Sequence, residues 1–465
     1  MRSSHTAAAV DAVFDEANLI GYGGLEPVVR LAERCGLPDL VSEHVRIDDA
    51  PNSGGANAAA KVVSLVAGMV AGARYIDGVD RLRHGGMGLL FDGVRAPSTA
   101  GTFLRSFTHG HNRQLHAVHR QFLAGLAAAV DLLPGVARLT LVDIDPSHVR
   151  VYGAKKQGAQ YGRLKGRRTL HPMLSTISTP GAAPVIGPVR LRRGKAADVR
   201  GAESFVAEAI GTARQAGATG DILVRADSKF YTADVVAVCR RHGAWFSLST
   251  GINPSITAAI ERIDDGDWVD IVYPHPIEDP DTGEPISQAQ VAEISYTAFV
   301  GRAKRLQVTA RLIVRRVRRA NTDGGQGQEE LFAVHRYHPV FTDNPAPLVE
   351  AEATHRQHAI IEPAIADLKA SALAHLPSGS FQANNAWLTL AAITHNLTRA
   401  TGCAASAFHA KAETTTIREQ LIQVPTRIAR SARRVILHLP EAWPWEHAWH
   451  NLFTTVHAPP RPALS

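Results

Sequence analysis

Four acidic residues lie at points of the sequence where a carboxylate needs a partner. Asp145 lies near the end of the apolar stretch LTLVDIDP, and Asp143 lies two residues earlier, on the same side of a strand. Asp227 directly follows a second apolar stretch, DILVRA, and Glu362 lies in an otherwise apolar helical segment. Because burying an unpaired carboxylate is costly, such groups are usually hydrogen-bonded, paired with a cation or bound to a metal.

The chemistry that these acids fit best is that of divalent metals. Carboxylate oxygens are the ligands that Mg²⁺ and Mn²⁺ prefer, and the sequence has no C-x-x-C pair that would indicate a zinc site. Three carboxylates can hold two such ions about 4 Å apart, so that one activates a water or a 3′-hydroxyl and the other stabilises the leaving oxygen of a phosphodiester. Each acid also has a structural interpretation on its own, since Asp227 could cap a following helix and a helical glutamate usually faces water.

Predicted strands and helices alternate around the two aspartate positions. The stretches ARLTLVDID, DILVRAD and AWFSLST are predicted strands, and AESFVAEAIGTARQAG and YTADVVAVCRRHG are predicted helices. This alternation favours an α/β core, in which ligand chemistry gathers at the carboxyl ends of the strands. We therefore expect Asp145 and Asp227 to lie at the same edge of one sheet.

The pattern of apolar, polar and turn-forming residues divides the chain into five regions. Residues 1–135 are predicted to be helical and to bind DNA, and residues 136–259 to form the first part of the α/β core. Residues 260–349 contain alternating and apolar runs separated by turn sequences, which predicts a β-rich insertion. Helical patterns return over residues 350–402, and residues 403–465 form a basic C-terminal region.

The charge of the chain favours a polyanionic partner. The net charge is +7 and the isoelectric point is about 9.4, which suits nucleic acid. Arginine far outnumbers lysine, which fits phosphate contacts but is equally explained by the codon usage of a GC-rich gene. One Gly-rich loop concentrates the basic residues predicted to contact DNA, namely Lys155, Lys156, Arg163, Lys165, Arg167 and Arg168.

The sequence does not indicate a membrane protein. No apolar run reaches the ~18 residues needed to cross a bilayer. Acidic residues near the N-terminus occupy the positions where a signal peptide would have its apolar stretch. These features predict a cytoplasmic protein.

Six motifs in this order resemble the DDE-type bacterial insertion-sequence transposases, in the branch with a β-rich insertion before the catalytic glutamate. The resemblance spans nearly the whole chain and implies a ribonuclease-H-like catalytic core interrupted by that insertion, with a helical N-terminal region. The motifs are APSTAGTFLRSFTHG, LVDIDPSHVRVYGAKKQGAQYG, HPMLSTIST, LVRADSKFY, HRQHAIIEPAIADLK and NNAWLTLAAITHNLTRA.

The resemblance implies roles for the acids. Asp145, Asp227 and Glu362 correspond to the three catalytic carboxylates, which are expected to bind two Mg²⁺ ions, with Mn²⁺ as a substitute. Asp143 is expected beside the site, either as a partner of the first acid or in its place as the first metal ligand.

A second family signature lies around the glutamate. Glu362 and Lys369 keep the family's Glu-x6-Lys spacing, which implies a catalytic role for the lysine. His355 and His358 lie where the family has a tyrosine and an arginine, so both are expected to contact DNA. Pro363 is unusual inside a helix and predicts either a helix start or a kink there.

The implied function is cut-and-paste DNA transposition, which is metal-dependent strand cleavage and strand transfer of an insertion sequence. The expected partners are double-stranded DNA with terminal inverted repeats and a target DNA, bound by a homodimer. A nuclease that cuts without joining shares the same acids and stays open. A non-enzymatic DNA-binding derivative would be marked by a lost carboxylate, and a metal-free structural α/β protein would use the acids only as caps.

Overall fold

The computed structural model describes residues 1–459 except residues 2, 7–8, 49–53, 163, 165, 279–284 and 319–334. Of residues 272–278, 285–288 and 318, only the backbone is described. Two of the predicted DNA-contacting residues, Arg163 and Lys165, therefore lie outside the described residues.

The described part of the chain contains both strands and helices. The strands are β1 (Leu19–Ile20), β2 (Leu139–Pro146), β3 (Val149–Arg150), β4 (Gln160–Tyr161), β5 (Arg168–Leu170), β6 (Met173–Ser178), β7 (Val185–Arg190), β8 (Asp221–Ala226), β9 (Trp245–Ser249), β10 (Val269–Glu278), β11 (Pro285–Ala298), β12 (Val308–Arg318), β13 (His335–Thr342), β14 (Thr426–Ser431) and β15 (Arg434–His438). The helices are α1 (Leu25–Arg34), α2 (Leu37–His44), α3 (Ala58–Val70), α4 (Met87–Leu90), α5 (Pro97–Arg105), α6 (His109–Ala129), α7 (Ala202–Gln215), α8 (Ala233–Arg241), α9 (Pro254–Ile260), α10 (Leu348–Arg356), α11 (Ile361–Ala370), α12 (Phe381–Ala405), α13 (Thr414–Ile417) and α14 (Glu446–His457).

One long mixed sheet carries the predicted acids. Its strand order within the described residues is β10-β11-β12-β13-β9-β8-β2-β6-β7. Strand β2 pairs antiparallel with β6, which pairs antiparallel with β7, whereas β8 lies parallel to β2 and β9 parallel to β8. Three antiparallel strands followed by two parallel strands form a ribonuclease-H-like core, which confirms the predicted fold class.

The β-rich segment extends this core sheet. Strand β13 pairs with the core strand β9, with Phe341 opposite Leu248, and β12, β11 and β10 follow in antiparallel order. Beneath these added strands, Val291 and Ile313 form an apolar cluster with Ala351 of α10. Helix α10 therefore packs on the added strands, directly before the segment that carries Glu362.

Helix α12 forms the centre of the helical side of the molecule. It is buried around most of its circumference because it packs against β7 of the sheet and against α3, α5, α6 and α14. Asn112 of α6 donates a hydrogen bond to the Gln382 carbonyl of α12, and Asn396 of α12 bonds both His119 of α6 and the backbone of Ile186 in β7. The N-terminal helices and the sheet therefore share one core.

None of the helices in the described residues is both long enough and apolar enough to span a membrane.

Candidate active site

Asp145 lies at the carboxyl end of β2 and is partly buried. Burial raises the pKa of its carboxyl group to about 6, and the negative charges of Asp227 and Glu362 add to this effect. His358 and Lys229 oppose it with positive charge. Because such charge interactions act over short distances, the structure brings the three predicted acids into one neighbourhood.

Asp227 follows the end of β8, which runs parallel to β2, so both strand ends open at the same edge of the sheet. Its Oδ1 accepts a hydrogen bond from the Lys229 backbone N–H at 3.0 Å, and its Oδ2 lies 3.0 Å from the Lys229 ammonium. Asp227 therefore does cap a short 3₁₀ turn, Ser228–Phe230, as its structural interpretation required. Its side chain is still 33% exposed, which leaves it accessible from the sheet edge.

Glu362 lies in the first turn of α11 and is exposed. Pro363 follows it within the same turn, where the backbone N–H groups have no acceptor inside the helix, so the proline costs no helical hydrogen bond. Of the two alternatives that the sequence left open, the helix start is the one observed. The proline is therefore compatible with the position of Glu362 in the first turn of α11.

The three acids are near neighbours but do not form a closed coordination group. Among the described residues, no three histidine, cysteine or acidic side chains are placed to hold a metal ion together. The donor chemistry nevertheless fits a divalent cation, because the oxygen ligands are all carboxylates, and the charges of Asp227 and Glu362 add to the burial that raises the pKa of Asp145.

Lys369 lies two turns after Glu362 on α11 and points to the same strand end. Its ammonium group donates a hydrogen bond to the Ser147 hydroxyl at 2.5 Å, two residues beyond Asp145. Burial lowers the pKa of Lys369, and the carboxylate of Asp145 opposes that shift. The Glu-x6-Lys spacing of the sequence thus corresponds to a cation beside Asp145.

Asp143 lies in a different environment from Asp145. Its two oxygens accept hydrogen bonds from Nε and Nη2 of Arg225, each at 2.7 Å, and both side chains are fully buried. His358 Nδ1 lies 2.9 Å from the same carboxylate. Burial alone would raise the pKa of Asp143, but the hydrogen bond with His358 and the charge of Arg225 hold it below its usual value. The interpretation of Asp143 as a metal ligand does not fit this geometry, because both of its oxygens are occupied.

Arg225 joins the two strands that carry Asp145 and Asp227 to helix α10, and no role was predicted for it from the sequence. It belongs to β8, pairs with Asp143 of β2, and donates from Nη1 to the Thr354 carbonyl at the end of α10. A signal was present in the sequence, since an arginine inside the apolar stretch DILVRA needs a buried acceptor just as an aspartate needs a donor.

The buried position of His355 argues against its expected contact with DNA. The side chain is buried, with Nδ1 2.8 Å from the Ser247 hydroxyl and Nε2 3.0 Å from the Ser249 hydroxyl. Burial lowers the pKa of His355 to about 3, so the ring is neutral and fixes α10 to β9. His358 likewise faces Asp143, with 16% of its side chain exposed, so it supports the site from inside the protein.

The basic side chains of the predicted DNA-contacting loop fall into two groups, those that bond the protein backbone and those that are exposed. Lys156 donates to the Leu376 carbonyl, and the Arg168 guanidinium donates to backbone carbonyls of the loop, including that of Ala159. These two side chains shape the loop, so their prediction as DNA contacts is not supported. The side chains of Lys155 and Arg167 are exposed and remain available to a ligand.

Comparison with known proteins places the chain in a family. No curated protein matches it. A cryo-EM structure of a piggyBac transposase synaptic complex with hairpin DNA matches with a TM-score of 0.37 and 10% identity, over 90% of this chain and 73% of that chain. That similarity is too low to support an inference about this chain. A family model described as transposase DDE domain group 1 matches residues 3–460, and the chain therefore belongs to this family of transposases.

Proposed function

We propose that this transposase cuts DNA at the ends of an insertion sequence and joins the cleaved ends to target DNA, using divalent metal ions bound by Asp145, Asp227 and Glu362. The observation that carries the proposal is the position of Asp145 and Asp227 at the adjacent ends of the parallel strands β2 and β8, where the negative charges of Asp227 and Glu362 add to the burial that raises the pKa of Asp145 to about 6. Acids gathered at one strand edge repel each other, and a bound divalent cation relieves that repulsion.

The donor set suits two Mg²⁺ ions, with Mn²⁺ as a substitute, because carboxylate oxygens are hard ligands. When bound, such ions supply Lewis acidity and generate the attacking oxygen nucleophile. Asp145 offers a ligand from the end of β2, Asp227 one from the end of β8, and Glu362 one from the start of α11.

Other side chains of this chain support the reaction in separate ways. Lys369 presents an ammonium group beside Asp145, where it attracts a backbone phosphate of the DNA strand. The pair of Asp143 and Arg225 holds β2, β8 and the end of α10 in register, so that the acids keep their relative positions. Neither member of this pair touches the DNA.

The proposed partners are double-stranded DNA with terminal inverted repeats and a target DNA, bound by a homodimer. The net charge of +7 and the exposed side chains of Lys155 and Arg167 support a DNA-binding surface.

The test is a plasmid that carries the gene with its natural flanking DNA, incubated with the purified protein and Mg²⁺. We expect excision of the element and a joined product in a second plasmid. Asp145→Asn should abolish both products. Asp221→Asn is the matched control, because Asp221 is exposed at the opposite end of β8 from Asp227.

The alternatives give different results in the same assay. Cleaved DNA without a joined product would identify a nuclease. Binding of the element ends without cleavage in Mg²⁺ or Mn²⁺ would identify a non-enzymatic DNA-binding derivative.

A further inference from the structure

A second basic segment, LRRGKAADVR, forms a cleft on the surface of the core. This cleft, which we call the basic cleft, has a volume of about 690 Å³. No acidic side chain is among the described residues that line it. The residues that matter for its charge are Arg190, Arg192, Arg193, Lys195 and Arg200, and Phe381 forms part of the wall.

The turn that presents Arg193 and Lys195 is held rigidly. Between them, Gly194 donates its backbone N–H to the Gly158 carbonyl at 3.1 Å. A Cβ atom at this glycine would lie 2.2 Å from the Thr169 carbonyl oxygen, so only glycine fits against β5. The Lys195 backbone N–H donates to Gln160 Oε1 at 3.1 Å. The two side chains therefore project from a fixed backbone, which reduces the entropy lost when they bind a ligand.

The charges of the cleft are only partly neutralised by the protein. Arg190 pairs with Glu208 at 3.2 Å. The side chains of Arg193, Lys195 and Arg200 are exposed, and no ion pair is found for them within the described part of the chain.

Arg192 adds a buried cation to the cleft. It is 8% exposed and donates to backbone carbonyls, including those of His171 and Asp198, while its Nη2 has no hydrogen-bond partner among the described atoms. Burial lowers the pKa of Arg192 to about 10, which leaves it charged at neutral pH. The negative charge of Asp198 opposes that shift, so the remaining cost of burying this guanidinium lies in the Nη2 donor, which an anion could accept from.

The basic cleft adjoins the acids of the proposed active site. Asp198 belongs to the same segment, and its Oδ2 lies 3.8 Å from the ammonium of Lys229. Lys229 in turn lies 3.0 Å from Asp227. A strand of DNA that passes Asp227 therefore has the cleft as a neighbouring surface.

We propose that the basic cleft binds a backbone phosphate of the DNA strand next to the phosphodiester on which the acids act. Guanidinium groups bind phosphate oxygens with paired hydrogen bonds, and a rigid set of several cations suits a polyanion. Phe381 offers an aromatic wall, which a base or sugar can contact. This inference rests on the proposed function for the location of the cleaved bond, but the binding of DNA by the cleft can be tested apart from cleavage.

The experiment compares the wild-type protein with Arg193→Ala/Lys195→Ala. Binding of a labelled duplex of mixed sequence is measured by fluorescence anisotropy over a series of salt concentrations, without divalent metal. Arg433→Ala/Arg434→Ala is the matched control, because it removes the same charge from exposed residues of the separate β14–β15 sheet. Both variants should fold normally, since the altered side chains are exposed.

Each phosphate contact contributes about 0.9 to the slope of log affinity against log salt, so the loss of two contacts should make the slope shallower by about 1–2 and weaken binding about tenfold. The control should keep the wild-type slope. An unchanged slope in Arg193→Ala/Lys195→Ala, or an equal change in both variants, would overturn the role of the cleft, whatever the cleavage assay shows. A different outcome is that the slope changes only in Arg193→Ala/Lys195→Ala while the wild-type protein fails to cut DNA. That result would overturn the proposed function and leave the cleft as a DNA site.

Discussion

Removing the guanidinium of Arg225 should cost far more stability than removing any exposed arginine. Arg225 and Asp143 are both fully buried and joined by two hydrogen bonds of 2.7 Å. Arg225→Ala leaves the Asp143 carboxylate buried with only His358 as a side-chain partner. Breaking a buried ion pair from one side typically costs about 3–5 kcal/mol, and the lost hydrogen bond to Thr354 adds about 1 kcal/mol.

The assay is equilibrium unfolding in urea, with Arg138→Ala as control, because Arg138 is exposed just before β2 and should change the free energy of unfolding by less than about 0.5 kcal/mol. Replacing both partners, in Arg225→Met/Asp143→Leu, should restore most of the lost stability, since no unpaired charge remains. A loss below about 1 kcal/mol in Arg225→Ala would show that the ion pair of Arg225 and Asp143 does not stabilise the core. A double variant as unstable as the single one would show that the unpaired charge is not the cause of the loss.

Three further predictions concern Asp145, two buried histidines and Lys369. Asp145→Asn should raise the stability of the metal-free protein at pH 7 by about 1–2 kcal/mol, because an acid with a raised pKa is destabilising while it is ionised. Mg²⁺ should raise the melting temperature of the wild-type protein but not of this variant. Thermal unfolding with and without the metal measures both effects. The free energy of unfolding should fall as the pH drops below about 6.5, because His119 and His355 have folded-state pKa values of about 3, so that each lowers stability by about 2 kcal/mol by pH 5. His355→Gln should make this pH dependence shallower. An unchanged pH profile in that variant would contradict a buried neutral ring at His355. Lys369→Met should weaken DNA binding and slow cleavage, while its free energy of unfolding should stay within about 1 kcal/mol of the wild-type value because burial already destabilises the ammonium group. If the variant binds and cleaves DNA like the wild-type protein, Lys369 has no role in the site.

The sequence predicted the parts of the site that depend on local pattern. The apolar stretches around Asp145 and Asp227 specify strands, and the helix between them makes β2 and β8 parallel, so both acids reach the same sheet edge. Pro363 lies in the first turn of α11, which begins at Ile361 directly after the 3₁₀ turn Gln357–Ile360, so the helix start, one of the two alternatives predicted from the sequence, is observed close to Glu362. The ribonuclease-H-like core was accessible from the order of motifs and is confirmed.

What the sequence could not supply is the pairing of side chains that are far apart in the chain. Arg225 and Asp143 are 82 residues apart, and only the parallel register that sets them opposite each other identifies Arg225 as the buried partner of Asp143. His355 was interpreted from a family signature, but burial against Ser247 and Ser249 makes it structural. The local pattern carried no information about either environment.

The sequence also could not predict how whole strands and helices pair and pack with one another. The alternation in the added strands predicted β structure, but not that β13 would pair with β9 and so extend the core sheet. The N-terminal helices also gave no sign that α6 packs on α12 through Asn112 and His119. Deleting these helices would therefore expose the core as well as remove a candidate DNA-binding region.

Asp145, Asp227 and Glu362 are proposed to act together in metal-dependent cleavage of DNA. The most direct measurement is the rate at which wild-type protein and the single variants Asp145→Asn, Asp227→Asn and Glu362→Gln cut a duplex carrying the element ends, with Mg²⁺ present and with Mg²⁺ removed by a chelator. We expect that cleavage requires Mg²⁺, that each of the three variants loses cleavage activity almost completely, and that Asp221→Asn retains the wild-type rate. A wild-type rate in any of the three variants, or cleavage that persists in the chelator, would contradict this proposal.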